Sequence, residues 1–515
     1  MHVIIPMSGQ GRRFREAGYS QLKPLIPVEG KPILQHLLEQ FPNEWPKTFI
    51  CDETHLAESS LREELVQLCP GATIVAIPSH RGGPVHAVLE ACRVNPNSVP
   101  ESEPCLISYC DYSMRWDALG FERFVLENEC DGAVLCYTGF HPEYIRPTLY
   151  AYCKEVNGKI LEIKEKGHFT PDRNQEFASC GAYYYKTGAL VRQYFAQLMK
   201  DGPLINGEGY CSLIYNPMIE DNLDIRVFEI PFFLQWGTPQ DLQDYEYWSR
   251  SFQQFMAKNS QKETQAIQLL MPMAGRGSRF AGGLPKPLIP VLGKAMFCSA
   301  IDYLPETQKK VLVLQGDISQ EIAAAYPTAI RVELSGISAG QAISTKLGIP
   351  DVTPNMPVLI SSCDHGLLWS NERWQRLIAQ DPDVIVWGQR NYGGADVKPE
   401  AFAYIQAENS NSDRIANVSV KVPLSASPRK DLLLVGTFYF RSPALLEEMI
   451  EELERRDIRV NGELYLDSVI NLCVERGLDV RVFEGDGYLC WGTPEALAEF
   501  TYWHRFFVEH KNVTI

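Results

Sequence analysis

Short apolar runs alternate with longer amphipathic stretches along this chain. In the first half HVIIPM (2–7), TFICDE (48–53), TIVAIP (73–78), CLISYCD (105–111) and GAVLCYT (132–138) are compact and apolar. They have the length and bounding residues of strands buried on both faces. Between them lie segments with helical spacing: PILQHLLEQF (32–41), HLAESSLREELVQLC (55–69) and PVHAVLEACRV (84–94). Ile33, Leu34, Leu37, Leu38 and Phe41 share one helical face. Strands alternating with helices at this scale predict an α/β fold, a mostly parallel sheet covered by helices. Further on, YAYCKEV, KILEIKEK and GAYYYKTG are richer in strand pattern, so this part should add strands outside the simple alternation.

The same pattern then runs a second time. VIIPMSGQGRRF (3–14) returns as LLMPMAGRGSRF (269–280), and KPLIPVEGK (23–31) as KPLIPVLGK (286–294). NGEGY (206–210) is matched by NGELY (461–465), DIRVFE (224–229) by DVRVFE (479–484), and WGTP at 236–239 by WGTP at 491–494. A unit this long exceeds a solenoid repeat and has the size of a whole domain. The expectation is a tandem duplication, with one domain over 1–255 and a second over 265–515. The polar stretch 251–268 between them contains neither Gly nor Pro, which fits a helix tail better than a loose tether.

Composition narrows the class. At 45% hydrophobic and 22% charged, the 515 residues are those of an ordinary globular chain. No apolar run is long enough to span a bilayer, and the N-terminus lacks the order of a secretory signal. A net charge of −16 disfavours non-specific binding to nucleic acid or anionic membrane, while leaving room for a locally basic pocket. The 14 cysteines include no C-x-x-C pair and mostly sit in apolar runs, as buried thiols of a cytoplasmic protein would. Asn417 and Asn512 match the glycosylation pattern by chance in that setting.

The chemistry is expected just beyond the first strand. Gly9 and Gly11 let the backbone turn and direct N–H groups at an anion. Neither a G-x-G-x-x-G dinucleotide fingerprint nor a Walker P-loop is present. Instead Arg13 and Lys23 follow, and the second copy repeats the set as Gly275, Gly277, Arg279 and Lys286. Arg presents a fork to phosphate oxygens and Lys a compact charge, so a phosphorylated ligand is expected in both halves. Asp111 and Asp364 each follow a Cys at the end of an apolar run and are candidate metal ligands. Trp236, Trp248, Trp491 and Trp503 are expected to be packing residues. Asn206-Gly207-Glu208 and Asn461-Gly462-Glu463 suit a sugar contact and a turn equally well.

G-x-G-x-R-F followed by K-P-L-I-P-V-x-G-K resembles the signature of sugar-phosphate nucleotidyltransferases, the nucleoside-diphosphate-sugar pyrophosphorylases, and is closest to members in capsule and surface-polysaccharide pathways. The resemblance implies two Rossmann-like α/β/α sandwiches of the GT-A type. It implies transfer of a nucleotidyl group from a nucleoside triphosphate to a sugar phosphate, with release of pyrophosphate and Mg²⁺ or Mn²⁺ as cofactor. Arg13, Lys23, Asp111, Arg279, Lys286 and Asp364 would be the catalytic set, Asp111 and Asp364 holding the metal. Gly9, Gly11, Gly82, Gly83, Gly275, Gly277, Gly340 and Gln341 would bind the nucleotide, with Gly340 and Gln341 answering Gly82 and Gly83. Glu165, Lys166, Gly181, Lys421 and Gly436 would face the phosphorylated acceptor.

Such chemistry needs positioning and charge neutralisation rather than a strong base, because the attacking phosphate oxygen is already anionic. Two departures from the family stand out. Gln235 and Cys490 occupy the position where many members carry a second metal-binding aspartate. The Glu-Lys pair of the first copy has only Lys421 as a match in the second, so the second copy is expected to take a different substrate or to have lost catalysis. The alternatives are a cytidylyltransferase acting on a non-sugar phosphate, one active half beside a degenerate binding half, and a GT-A glycosyltransferase. The partners expected are small molecules, a nucleoside triphosphate and a phosphorylated acceptor, without nucleic acid or membrane; a homo-oligomer is possible.

Overall fold

A computed structural model describes residues 1–147, 150–257, 264–275, 279–280, 283–336, 338–410 and 412–509. It divides into two compact units, Met1–Glu246 and Tyr247 onward. The division falls inside the helix Pro239–Ala257, and the next described element is the strand Thr264–Pro272.

The first unit is built on one nine-stranded sheet. Thr73–Ile77, Lys47–Asp52, His2–Pro6 and Cys105–Ser108 lie side by side, all parallel. Phe177–Tyr185 follows, antiparallel to both its neighbours, Cys105–Ser108 and Gly132–Tyr137. Ile225–Glu229 continues parallel to Gly132–Tyr137, and the hairpin of Ala151–Val156 and Lys159–Glu165 completes the sheet. The expected mostly parallel sheet is therefore parallel at one end and mixed at the other, because a long strand from the irregular region inserts in its middle.

Alternation along a strand sends successive side chains to opposite faces. Val3 and Ile5 enter one core with Leu34, Leu37, Leu65 and Phe121, whereas Ile4 enters the other with Val88, Ala91, Phe195 and Met218. The sheet is thus covered by helices on both faces. The second unit repeats the strand order with Ile330–Leu334, Glu306–Gln315, Thr264–Pro272, Val358–Ser361, Leu432–Phe440, Val384–Gln389 and Val480–Glu484. Among the described residues no helix is long and apolar enough to cross a membrane.

One expected helix is split in two. HLAESSLREELVQLC forms Glu53–Glu58 and Leu61–Leu68. The Ser59 hydroxyl donates back to His55 O at 2.6 Å and accepts from Leu61 N at 3.2 Å. These local bonds give the backbone an alternative to continuing the helix. All 14 cysteines are free thiols, buried or half-buried, and all four tryptophans named above are buried.

Candidate active site

The loop after His2–Pro6 turns through Gly11, whose φ of 57° lies in the left-handed region, into the short helix Arg12–Glu16. Bonds from two neighbouring strand ends hold this loop. Asp52 is fully buried at the end of Lys47–Asp52, where its Oδ1 caps the next helix by accepting from Thr54 N at 2.8 Å. Its Oδ2 accepts from Gln10 at 3.0 Å and from Ser79 at 2.6 Å. Burial pushes the Asp52 carboxyl up, but these hydrogen bonds outweigh it and hold the group below its ordinary value. His80 contacts Ser8 Oγ at 2.9 Å through Nε2 and accepts from Gly82 N at 3.1 Å through Nδ1. Asp52, Ser79 and His80 were missed in the sequence; the one available signal was an acid at the end of an apolar run, the same that marks Asp111.

The glycines of the second loop answer to packing. Gly83, with φ of 80°, opens the helix Gly83–Val94, and a Cβ there would stand 2.8 Å from Gly209 O. Gly209 N donates to Gly82 O at 2.9 Å and Val85 N to Gly209 O at 3.2 Å. In the second unit Gly340 has φ of 136°, and its Cβ would meet Leu464 N and O at 2.6 Å. There Leu464 N donates to Ala339 O and Ala342 N to Leu464 O. Gly340 therefore answers Gly83, and Gln341 answers Pro84, a correction of one residue to the register read from sequence. The opposing segments are turns: Asn206-Gly207 and Asn461-Gly462 all have positive φ and join Ile205 to Glu208 and Val460 to Glu463.

Lys23 and Asp111 come together at the carboxyl ends of the strands. Lys23 Nζ is 2.6 Å from Asp111 Oδ2 and donates to Gly237 O at 3.2 Å. Trp236 N, beside it, donates to Asp111 O at 2.9 Å. In the second unit Lys286 pairs with Asp364, and Trp491 N donates to Asp364 O at 2.8 Å. Burial pushes the Asp364 carboxyl up, but the Lys286 ammonium and His365 hold it well below the usual carboxylate range. Around it Ser362 Oγ donates to Asp364 Oδ1 at 2.8 Å, and His365 Nε2 meets Thr437 Oγ1 at 2.9 Å. Gln235 bonds Tyr150 and Asp241, each at 2.8 Å. Asp241, buried and pushed up to about 6 by that burial, closes a reciprocal cap with Thr238.

Arg13, Lys23, Asp111, Glu165, Lys166 and Gly181 line one cavity of about 260 Å³ in the first unit, together with Tyr109, Tyr210 and Asp241. Gly9, Gly11, Gly82 and Gly83 lie outside that lining. In the second unit Gly275, Arg279, Lys286, Gly340, Gln341 and Asp364 line a cavity of about 520 Å³, with Ser338, Ser344 and Glu463. Lys421 and Gly436 are not in its lining, and Gly277 lies outside the described residues. In both units the glycine of the long central strand has positive φ, Gly181 at 91° and Gly436 at 69°. Tyr109 N donates to Gly181 O and Ser362 N to Gly436 O, so Ser362 stands where the first unit has the Tyr109 ring.

Residues 3–168 match the model of the MobA-like NTP transferase domain family. This segment is similar to that domain family. The matched segment holds the glycine loop, Lys23, Asp111, Glu165 and Lys166. Fifty residues of the chain are 40% identical to the bifunctional protein GlmU of Methanococcus maripaludis strain C5, covering 10% of this chain and 12% of that protein. Among solved structures, the nucleoside-diphosphate-sugar pyrophosphorylase of Vibrio cholerae RC9 is similar at 19% identity and a TM-score of 0.40, over 47% of this chain and 99% of that one. The inositol-1-phosphate CTP transferase of T. maritima is similar at 16% identity and a TM-score of 0.37, over 47% and 98%.

Proposed function

We propose that this protein is a sugar-phosphate nucleotidyltransferase with two sites, one in each half, arisen by tandem duplication of a single domain. The observation that carries the reading is the recurrence, in both units, of a strand-end aspartate paired with the lysine of the K-P-L-I-P-V segment. An acceptor phosphate oxygen attacks the α-phosphorus of a nucleoside triphosphate, the bond from that phosphorus to the β-bridging oxygen breaks, and pyrophosphate leaves. Lys23 and Arg13 in the first half, and Lys286 and Arg279 in the second, spread positive charge over the phosphates as charge shifts to the leaving group. The glycine loops fix the nucleotide, and the fully buried Asp52 holds the first of them ready through Gln10. Glu165, Lys166 and Gly181 line the acceptor side of the first site.

The donor set fits Mg²⁺ or Mn²⁺ shared with substrate phosphates. Among the described residues no cluster of three or more His, Cys, Asp or Glu could hold a metal alone, and Mg²⁺ commonly takes one or two carboxylates plus phosphate oxygens and water. Asp111 and Asp364 would hold it, and the ion would supply charge neutralisation at the α-phosphate. The activated products suit surface-polysaccharide synthesis in the cytoplasm.

The test is pyrophosphate release by the full chain with Mg²⁺, each nucleoside triphosphate and a panel of phosphate esters, in wild type, Asp111→Asn, Asp364→Asn and the double variant. The expected result is that each single variant removes a different triphosphate–acceptor activity and the double variant removes both. Release that persists in the double variant, or transfer from nucleotide sugars instead, would sink the proposal.

A further inference from the structure

In sequence the second half has Val420 where the first has the acid of the Glu165-Lys166 pair; the structure finds an acid there, on a different element. An asparagine clamp fixes the correspondence. Asn216 accepts from Ile163 N at 2.9 Å and donates to Ile163 O at 3.0 Å. Asn471 does the same to Val418, at 2.7 and 2.8 Å. Two residues past the clamped position stand Glu165 and Val420; three past it stand Lys166 and Lys421. Both lysines have positive φ, 54° and 62°, and both ammonium groups lie over an equivalent tyrosine ring, Tyr210 at 4.5 Å and Tyr465 at 5.4 Å. Four residues before the clamping asparagine stand Ser212 in the first half and Asp467 in the second.

In the first half the strand supplies the acid and the helix side a hydroxyl, with Ser212 Oγ donating to Glu165 Oε2 at 2.5 Å. In the second half the strand position is apolar and the carboxylate comes from the helix Leu466–Glu475. The two arrangements differ in what they leave open. Lys166 donates to Tyr210 OH at 2.8 Å, and Glu165 is bonded to Ser212. Lys421 and Asp467 are both half-buried; the Asp467 carboxylate accepts from its own main-chain N–H, and neither side chain has a hydrogen bond or ion pair to another described residue beyond the Tyr465 ring under Lys421. Burial pushes the Asp467 carboxyl up to about 6 while the Lys421 ammonium pulls it down, so each lies in the field of the other without contact. A half-buried ammonium and a half-buried carboxylate held apart in this way leave hydrogen-bonding capacity that an incoming molecule can satisfy.

We infer that Lys421 and Asp467, which stand outside the lining of the 520 Å³ cavity as an extension of it past Glu463 and Tyr465, form the acceptor subsite of the second half, Asp467 replacing Glu165 from the opposite side, and that this subsite takes a phosphate ester bearing hydroxyl groups. The inference rests on the two-site reading proposed above. The carboxylate accepts from hydroxyl donors, while the ammonium donates to phosphate or hydroxyl oxygens. The second half is then a rebuilt acceptor site.

The experiment uses the full chain with Asp111→Asn, so that release of pyrophosphate reports the second half. Glucose 1-phosphate, inositol 1-phosphate and phosphocholine are each supplied with Mg²⁺ and every nucleoside triphosphate. Activity is expected with a hydroxylated ester. Adding Asp467→Asn or Lys421→Met should raise KM for that ester at least tenfold while KM for the triphosphate stays within twofold. The swap Val420→Glu with Asp467→Ser, which returns the acid to the strand, should recover most of the lost affinity. An unchanged ester KM in Asp467→Asn overturns the inference and leaves the two-site reading standing. Phosphocholine as the preferred acceptor overturns the ligand class. A second half that releases no pyrophosphate with any pair overturns the two-site reading itself.

Discussion

Lys23 and Asp111 are 88 positions apart in the chain and 2.6 Å apart in space. Both are partly exposed, so the pair itself contributes little to stability, about 0–1 kcal/mol. Asp111→Asn should therefore leave Tm within a few degrees while lowering first-site turnover at least 100-fold, a separation that calorimetry and pyrophosphate assays check together. Glu143 is the opposite case, a buried carboxyl whose weight falls on stability. Burial pushes it up to about 7 against the pull of Tyr152 and Arg173, and its Oε2 has no partner among the described residues. A carboxyl raised in the fold binds its proton more tightly there than in the unfolded chain. Stability from this group is present at low pH and is lost as pH rises from about 4.5 to about 7, on the order of 3 kcal/mol. Glu143→Gln keeps an acceptor for Tyr152 and removes the ionisation. Its Tm should exceed that of wild type by several degrees at pH 8 and match it at pH 5; equal Tm values at pH 8 would refute the assignment.

At the scale of elements, glycine requirements come from backbone meeting backbone. A side chain at Gly83 would press into Gly209 O, and one at Gly340 into the Leu464 main chain, both from positive φ. Gly83→Ala and Gly340→Ala should each destabilise by about 2 kcal/mol, read as a lower denaturant midpoint at unchanged m. Elements of this kind show how far the sequence could be read. Buried strands such as His2–Pro6 were legible because burial on both faces leaves an uninterrupted apolar run. The pairs Lys23–Asp111 and Lys286–Asp364 could be singled out because each lies in a motif that recurs in both halves of the sequence. The break at Ser59 was not, since a hydroxyl competing with the helix leaves no mark on the hydrophobic pattern. The Gly340 register was not, because it is set by contact with Leu464 far along the chain. Asp467 was hidden for the same reason: its relation to Lys421 depends on a strand meeting a helix.

For the molecule as a whole, the two units share strand order, the glycine on the central strand and the lysine–aspartate pair, and differ in what surrounds them. Tyr109 gives way to Ser362, Tyr112 to His365 and Ser212 to Asp467. The thiols behave as a property of the whole chain. None of the 14 cysteines is exposed, and burial raises the thiols of Cys51, Cys105 and Cys363 to about 12. Titration with a thiol reagent should be slow in the native protein and reach 14 groups after denaturation, with Tm indifferent to reductant; fewer than 14 would reveal disulfide pairing.

The clamp made by Asn216 and Asn471 has a consequence for how such a chain changes over time. Each asparagine grips only main-chain atoms of the strand beside it, so the strand keeps its alignment whichever side chains it carries. Exchanging the neighbours of Lys421 therefore redistributes charge without displacing the lysine. A unit framed in this way can change the charge beside its lysine through one or two substitutions while the strand and helix stay folded around it.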